Sequence, residues 1–85
     1  MNNESVREAV HAILRHMSYG DAEELSDEAR IATDLGFDSL RLLELAIVIE
    51  ERFELAAVDV DEALNVSTVR ELVDLVTERV RGTAA

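Results

Sequence analysis

The sequence predicts a small all-α protein: a four-helix bundle with a long loop between helices 1 and 2 and a short third helix. Apolar residues recur at spacings of three and four residues, and no alternation typical of strands is sustained. The chain has 85 residues, 48% hydrophobic and 32% charged, which suits one folded domain over residues 1–85. A chain of this length buries a modest core and rarely holds a deep active site, so we do not expect a stand-alone enzyme.

The first helix is predicted to begin at Ser5 and to end near Gly20. The hydroxyl of Ser5 can cap the helix with Glu8 as its reciprocal partner, and glycine commonly follows a helix end. One face of this helix carries the apolar residues expected to be buried, which are Val6, Ala9, Val10, Ile13, Leu14 and Met17.

The long loop covers residues 21–37 and is acidic with weak periodicity. Three apolar residues, Leu25, Ile31 and Leu35, are expected to anchor it onto the bundle. A connection of this length in a small domain usually serves a function or contains a short helical turn. We interpret its acidic run at residues 23–28 as a solvated surface.

The second helix is predicted to begin at Asp38 or Ser39 and to run to about Phe53. A rotation of about 100° per residue gathers its core-facing side chains into one stripe, which consists of Leu42, Leu45, Ala46, Ile49 and Phe53. A short third helix is predicted near residues 59–64.

The fourth helix is predicted to begin at Thr68, whose hydroxyl can cap it with Glu71 following in the first turn. Arg79 and Arg81 suit the negative end of the helix dipole. The buried face is expected to consist of Val69, Leu72, Val73, Leu75, Val76 and Val80. Residues 82–85 are predicted to form a frayed tail.

Acidic residues dominate the charge of the chain, since 19 Asp and Glu stand against 8 basic residues and give a formal net charge of −11. Such a surface repels nucleic acid and attracts basic protein patches, so we expect protein partners with cationic surfaces. No run approaches the roughly 18 apolar residues of a membrane span, and the start does not resemble a signal peptide. We therefore expect a cytoplasmic monomer that binds neither membrane nor nucleic acid.

The sequence offers no evident set of residues for catalysis or metal binding. Cysteine is absent, which excludes a disulfide framework, a thiolate metal cluster and a cysteine nucleophile. His11 and His16 have no cluster of Asp, Glu or His at ligand spacing. Asp59 and Asp61 lack the glycine and alternating ligands of a calcium loop. We predict no catalytic residue and no metal ligand in this chain.

The most informative segment is the run at residues 34–40, which reads DLGFDSL. It resembles the phosphopantetheine attachment motif of the acyl carrier protein family, in which an Asp-Leu-Gly-x-Asp-Ser-Leu run opens the second helix. The likeness extends to EERF at residues 50–53 and to STV at residues 67–69 before an amphipathic helix. A bare Asp-Ser-Leu would be common by chance, whereas the full run in an acidic helical chain is a strong signal.

This resemblance implies that Ser39 carries a covalent 4'-phosphopantetheine cofactor, transferred from coenzyme A by a phosphopantetheinyl transferase. It implies a role for Asp38 in transferase recognition, including help in holding the Mg²⁺ of the transfer reaction. The thiol of the arm would carry an acyl group as a thioester to acyl-loading, condensing and modifying enzymes. The chain would then be a substrate of other enzymes.

Physical reasoning supports a tether at Ser39. A side chain in the first turn of a helix projects into solvent, and the unpaired helix N–H groups favour an attached phosphodiester anion. No sequence cue places His11 or His16 beside this serine, so it has no evident activating base. Another protein must therefore perform the transfer. Asp38 as a simple helix cap and Ser39 as a simple surface residue form the alternative interpretation.

A second apolar strip on the second helix is predicted to be a docking surface. Leu40, Leu43 and Ile47 lie away from the core stripe and are flanked by Glu44 and Glu51. An apolar strip bordered by carboxylates suits partner enzymes with basic rims. The alternative is that these residues pack under the long loop or the third helix.

Departures from the family pattern bear on the pathway. Phe37 replaces the small residue usual in fatty-acid carriers. With phenylalanine at this position, the run LGFDSL resembles that of polyketide synthase carriers more closely. Arg41 stands where fatty-acid carriers often have an acidic residue, and residues 55–59 lack the proline that many relatives have. We therefore favour a free-standing carrier for polyketide or related specialised biosynthesis, then a fatty-acid carrier, then an aminoacyl or peptidyl carrier. An unmodified acidic helical adaptor is the alternative from a different class.

Overall fold

The computed structural model describes residues 3–18, 25–55 and 60–83, and these segments form a helical bundle. Its helices are α1 (Asn3–Met17), α2 (Ser39–Phe53), α3 (Val60–Asn65) and α4 (Val69–Thr83). The described residues contain no β-strand, only an isolated antiparallel bridge between Arg30 and Thr68. The predicted all-α fold, with its long loop and short third helix, is confirmed. Within these segments no helix is both long and apolar enough to cross a membrane.

The core lies where α1, α2, α4 and the long loop meet. Each contributes buried apolar side chains: Val6, Val10, Leu14 and Met17 from α1, Leu45 and Ile49 from α2, and Val69, Leu72, Val73 and Val76 from α4. The predicted loop anchors Leu25, Ile31 and Leu35 are all buried, which confirms them. Burial of a side chain of this size contributes roughly 1.5–3 kcal/mol, so the anchors hold the loop firmly on the bundle.

The boundaries of α1 differ from those predicted. The helix begins at Asn3, so Ser5 lies inside its first turns and is not the cap. A Ser-x-x-Glu pattern marks the region of a helix start, and the assigned end commonly shifts by one or two residues. The helix ends at Met17, and Gly20 lies outside the described residues. The amide of Ser18 donates to the carbonyl of Leu14 at 2.9 Å, which closes the last turn without a glycine.

The second helix matches its prediction at both ends. It begins at Ser39 and ends at Phe53, followed by Glu54 in the left-handed conformation with φ 54° and ψ 46°. The amide of Glu54 donates to the carbonyl of Glu50 and so satisfies a terminal carbonyl. Leu45 and Ile49 are buried as the core stripe requires, and the other predicted members, Leu42, Ala46 and Phe53, are half-buried.

The last two helices depart slightly from their predicted ends. Asp59 lies outside the described residues, and α3 runs to Asn65. At the start of α4 the amide of Glu71 donates to Thr68 Oγ1 at 3.2 Å, as predicted, while the Glu71 carboxylate accepts from the amide of Ser67 at 3.0 Å. The helix continues to Thr83, so the helix extends into the tail that was predicted to fray, and residues 84–85 lie outside the described segments.

The loop before α2 is tied to the start of α4 by backbone hydrogen bonds. The amide of Ile31 donates to the carbonyl oxygen of Ser67 at 2.9 Å. In the other direction, the amides of Val69 and Arg70 donate to the carbonyl oxygens of Ala29 and Asp27 at 3.0 and 2.9 Å. The loop also contains a single helical turn, closed by the amide of residue 34 donating to the carbonyl of residue 30 at 2.8 Å. The loop that leads to Ser39 is therefore held by its own turn and by the start of α4.

Candidate attachment site

Ser39 is the first residue of α2, and its side chain is exposed. Asp38 precedes it as the N-cap in an extended conformation, with φ −94° and ψ −176°. The Asp38 carboxylate accepts a hydrogen bond from the amide of Arg41 at 2.8 Å and so satisfies one of the free N–H groups of the first turn. The structure thus gives Asp38 a capping role and leaves the Ser39 hydroxyl facing solvent, where another protein can reach it.

The residues before Ser39 explain why it occupies a defined place. Gly36 has φ 77°, a backbone conformation that residues with a Cβ adopt only with strain. Phe37 follows it and is 3% exposed, and its amide donates to the carbonyl of Ile31 at 3.2 Å. The turn at Gly36 directs Phe37 into the core and Asp38 towards the helix start. The motif therefore combines buried anchors, Leu35 and Phe37, with an exposed serine.

The burial of Phe37 was missed by sequence reasoning, which treated this residue only as a clue to the pathway. Its large side chain is part of the hydrophobic core together with Ile31 and Leu35. The signal was present in the spacing, since Leu35 and Phe37 alternate with exposed Gly36 and Asp38. In a loop without helical period, that short alternation carries the burial pattern.

Each histidine lies on α1 and faces a different part of the chain. His11 Nε2 is 3.5 Å from Asp27 Oδ1, and the pKa of His11 is lowered by burial and then by the nearby Arg7 guanidinium. His16 lines a groove between α1 and α2 that also includes Val48 and Arg52, well along α2 from its first turn. No cluster of three potential metal ligands exists among the described residues.

The predicted docking residues differ in how far they are exposed. Leu40 and Ile47 are large apolar side chains that are 66% and 55% exposed, so they do not pack under the loop or the third helix. Leu43 is half-buried, and Glu51 is exposed. Glu44 is half-buried and its carboxylate accepts a hydrogen bond within the chain, so it contributes less free negative charge to this surface than predicted.

The partner of Glu44 is Arg41, and the contacts of this arginine were not predicted. Arg41 Nη1 donates to Glu44 Oε2 at 2.9 Å. Its Nε and Nη2 donate to the carbonyl oxygen of Met17 at 3.0 and 2.8 Å. The side chain, 24% exposed, therefore reaches the end of α1 instead of projecting from the docking strip. A contact between residues 24 positions apart has no local sequence signal.

A further exposed apolar residue, Leu64, lies on α3 and is 42% exposed. The sequence placed α3 but could not assign its faces, because a helix of 6 residues shows too little periodicity. Among the described residues, the exposed large apolar side chains are therefore Leu40, Ile47 and Leu64.

Helices α2, α3 and α4 surround an apolar cavity of about 20 Å³, room for about one water molecule. Its lining includes Leu45, Ala63 and Leu72, and Arg79 is the charged residue of the lining. Arg79 is ion-paired with Glu62 of α3.

Comparison with known proteins identifies the family. The family described as the phosphopantetheine attachment site matches residues 4–76. The chain is 34% identical to the acyl carrier protein of Guillardia theta over 80 residues, which cover 94% of this chain and 98% of that protein.

Solved structures agree with the fold. The acyl carrier protein of Thermotoga maritima has a TM-score of 0.79 at 23% identity, covering 98% of this chain and 95% of that one, a likeness of fold alone. The 3,7-dioxo-octyl actinorhodin acyl carrier protein of Streptomyces coelicolor has a TM-score of 0.70 at 30% identity, covering 99% and 94%. The family match spans α2 and the exposed serine at its start. This chain belongs to the acyl carrier protein family, whose members carry acyl groups on a covalently attached phosphopantetheine and are not enzymes.

Proposed function

We propose that this carrier bears its phosphopantetheine on Ser39 and delivers acyl thioesters to enzymes of polyketide or related specialised biosynthesis. The observation that carries the attachment site is the geometry of the motif. Ser39 is exposed as the first residue of α2, directly after the capping Asp38. The buried anchors Leu35 and Phe37 precede it. The free N–H groups of a first helical turn favour the negative phosphodiester that attachment creates.

Attachment is a group transfer performed by a phosphopantetheinyl transferase. The Ser39 oxygen forms a bond to the β-phosphorus of coenzyme A while the bond from that phosphorus to the bridging oxygen breaks. Adenosine 3',5'-bisphosphate leaves, and the hydroxyl proton passes to a base outside this chain. Asp38 lies directly beside the reacting serine. We assign it to transferase recognition and to holding the Mg²⁺ that neutralises the phosphate charge during transfer.

Intact mass measurement tests the attachment site. Incubation with coenzyme A and a promiscuous transferase should add the mass of one phosphopantetheine to the wild type and none to Ser39→Ala. A matched control is Ser67→Ala, which removes another exposed serine hydroxyl outside α2. Modification of Ser39→Ala, or no modification of the wild type by several transferases, would refute the assignment.

The surface for partner enzymes is proposed to be the exposed side of α2 that begins at Leu40. Leu40 and Ile47 supply apolar area, Leu43 lies between them, and Glu51 supplies exposed negative charge. A strip of this composition complements apolar patches with basic rims. Glu44 is secondary in this surface because its carboxylate is paired with Arg41.

The pathway is supported by likeness to the 3,7-dioxo-octyl actinorhodin carrier at 30% identity. Two sequence clues change meaning in the structure. Phe37 serves the core, and Arg41 turns towards α1, so neither opposes fatty-acid enzymes. Housekeeping fatty-acid synthesis therefore remains the second candidate. Mass analysis of the acyl groups on carrier purified from its native cells decides between them. Oxo-acyl groups would indicate polyketide synthesis, and saturated acyl groups would indicate fatty-acid synthesis.

A further inference from the structure

The side chain of Arg41 joins the start of α2 to the end of α1. Its guanidinium makes two hydrogen bonds to the carbonyl oxygen of Met17, the last residue of α1. Carbonyls in the last turn of a helix lack partners within the helix, and a cation is favoured at that end by the helix dipole. Arg41 therefore caps α1 from a different helix.

The same residue belongs to the attachment turn. The amide of Arg41 donates to the Asp38 carboxylate at 2.8 Å, so its backbone completes the cap of α2 while its side chain holds α1. Ser39 and Leu40 point into solvent and bury little area that could orient the turn. The orientation of Ser39 is thus determined by the buried Phe37 before it and by Arg41 after it.

We propose that Arg41 is a positioning residue for the modification of Ser39: by fixing the first turn of α2 against α1, it presents the hydroxyl in the orientation that a transferase requires. This inference rests on the proposed function. Phosphoryl transfer needs the attacking and leaving oxygens roughly in line, so a small displacement of the acceptor lowers the rate of the chemical step. Arg41 acts through the backbone and does not itself touch coenzyme A.

The test measures kcat and KM for modification with a purified transferase and saturating coenzyme A. Arg41→Met removes the hydrogen bonds to Met17 and Glu44 and keeps most of the apolar stem. Arg52→Met is the matched control, because it removes the same charge from an exposed position on the same helix. Arg41→Lys keeps the charge with a single compact donor group.

We expect Arg41→Met to lower kcat on the order of tenfold with KM for the carrier changed less than about twofold, because the exposed docking side chains are intact. Arg41→Lys should recover part of the lost kcat, and Arg52→Met should stay within about twofold of wild type. Circular dichroism at the assay temperature establishes that each variant is folded. Should Arg41→Met be unfolded there, the kcat of the folded Arg41→Lys decides, with a reduced value expected.

Three results would overturn the inference. A folded Arg41→Met with wild-type kcat would show that the turn keeps its orientation without the contact to Met17. A raised KM with unchanged kcat would show that Arg41 binds the transferase directly. An equal loss of kcat in Arg52→Met would show that only charge matters. Failure of the wild type to be modified would instead refute the proposed function, and with it the inference.

Discussion

The contrast between Leu45 and Ile47 tests the division of α2 into a core face and a docking face. Replacing either residue by alanine removes three carbon atoms, worth roughly 2.4 kcal/mol when fully buried at about 0.8 kcal/mol each. Leu45 is 3% exposed, so Leu45→Ala should lose that amount plus a cavity contribution, about 2–5 kcal/mol in total. Ile47 is 55% exposed, so Ile47→Ala should lose about 1 kcal/mol.

Urea unfolding followed by circular dichroism measures both stability losses. The KM of a phosphopantetheinyl transferase for each carrier variant measures docking. Ile47→Ala should raise the KM several-fold, equivalent to about 1 kcal/mol of lost contact, while it loses only about 1 kcal/mol of stability. Leu45→Ala should keep a near-normal KM at temperatures where it is folded. Equal stability losses in the two variants, or an unchanged KM for Ile47→Ala, would refute the assignment of the two faces.

Three other predictions follow from particular residues. Because burial lowers the pKa of His11 below its ordinary value of 6.5, the unfolded chain binds this proton more readily, so His11 should lower stability as the pH falls below 6.5. Across pH 5–8, the Tm of the wild type should therefore fall more steeply towards low pH than the Tm of His11→Gln. Equal slopes would contradict this reasoning. Glu54→Gly should raise the unfolding free energy by about 0.5–1 kcal/mol, measured by urea, because glycine relieves the strain of φ 54°; a loss would contradict it. Partner affinity should fall as salt rises from roughly 0.05 to 0.5 M, and a salt-independent Kd would show that exposed carboxylates such as Glu51 contribute little.

The fold was largely predictable because apolar spacing reports burial directly. The period of α1 identified Val10 and Leu14, and the isolated apolar residues of the loop identified Ile31, all of which are buried. Helix ends were less predictable, as Ser5 illustrates, since several residues near a helix start can serve as its first position. Chain pattern alone locates an element better than it locates its limits.

The site was predictable as far as local sequence determines it. The cap at Asp38 and the exposure of Ser39 follow from their place at a helix start. The contact of Arg41 with Met17 depends on how α1 and α2 pack, which no local pattern encodes. For the same reason, the sequence offered Arg41 only as a clue to the pathway, whereas the structure turns its guanidinium towards α1.

The hydrogen bonds between the loop and α4 make the attachment segment part of the same cooperative unit as the last helix. Ile31 donates to Ser67 and Val69 donates to Ala29, so separating the loop from the bundle breaks bonds on both elements at once. Local opening follows such units, and amides within one unit exchange with solvent at similar free energies. Opening of the loop that precedes Ser39 would therefore also break the bonds at the start of α4.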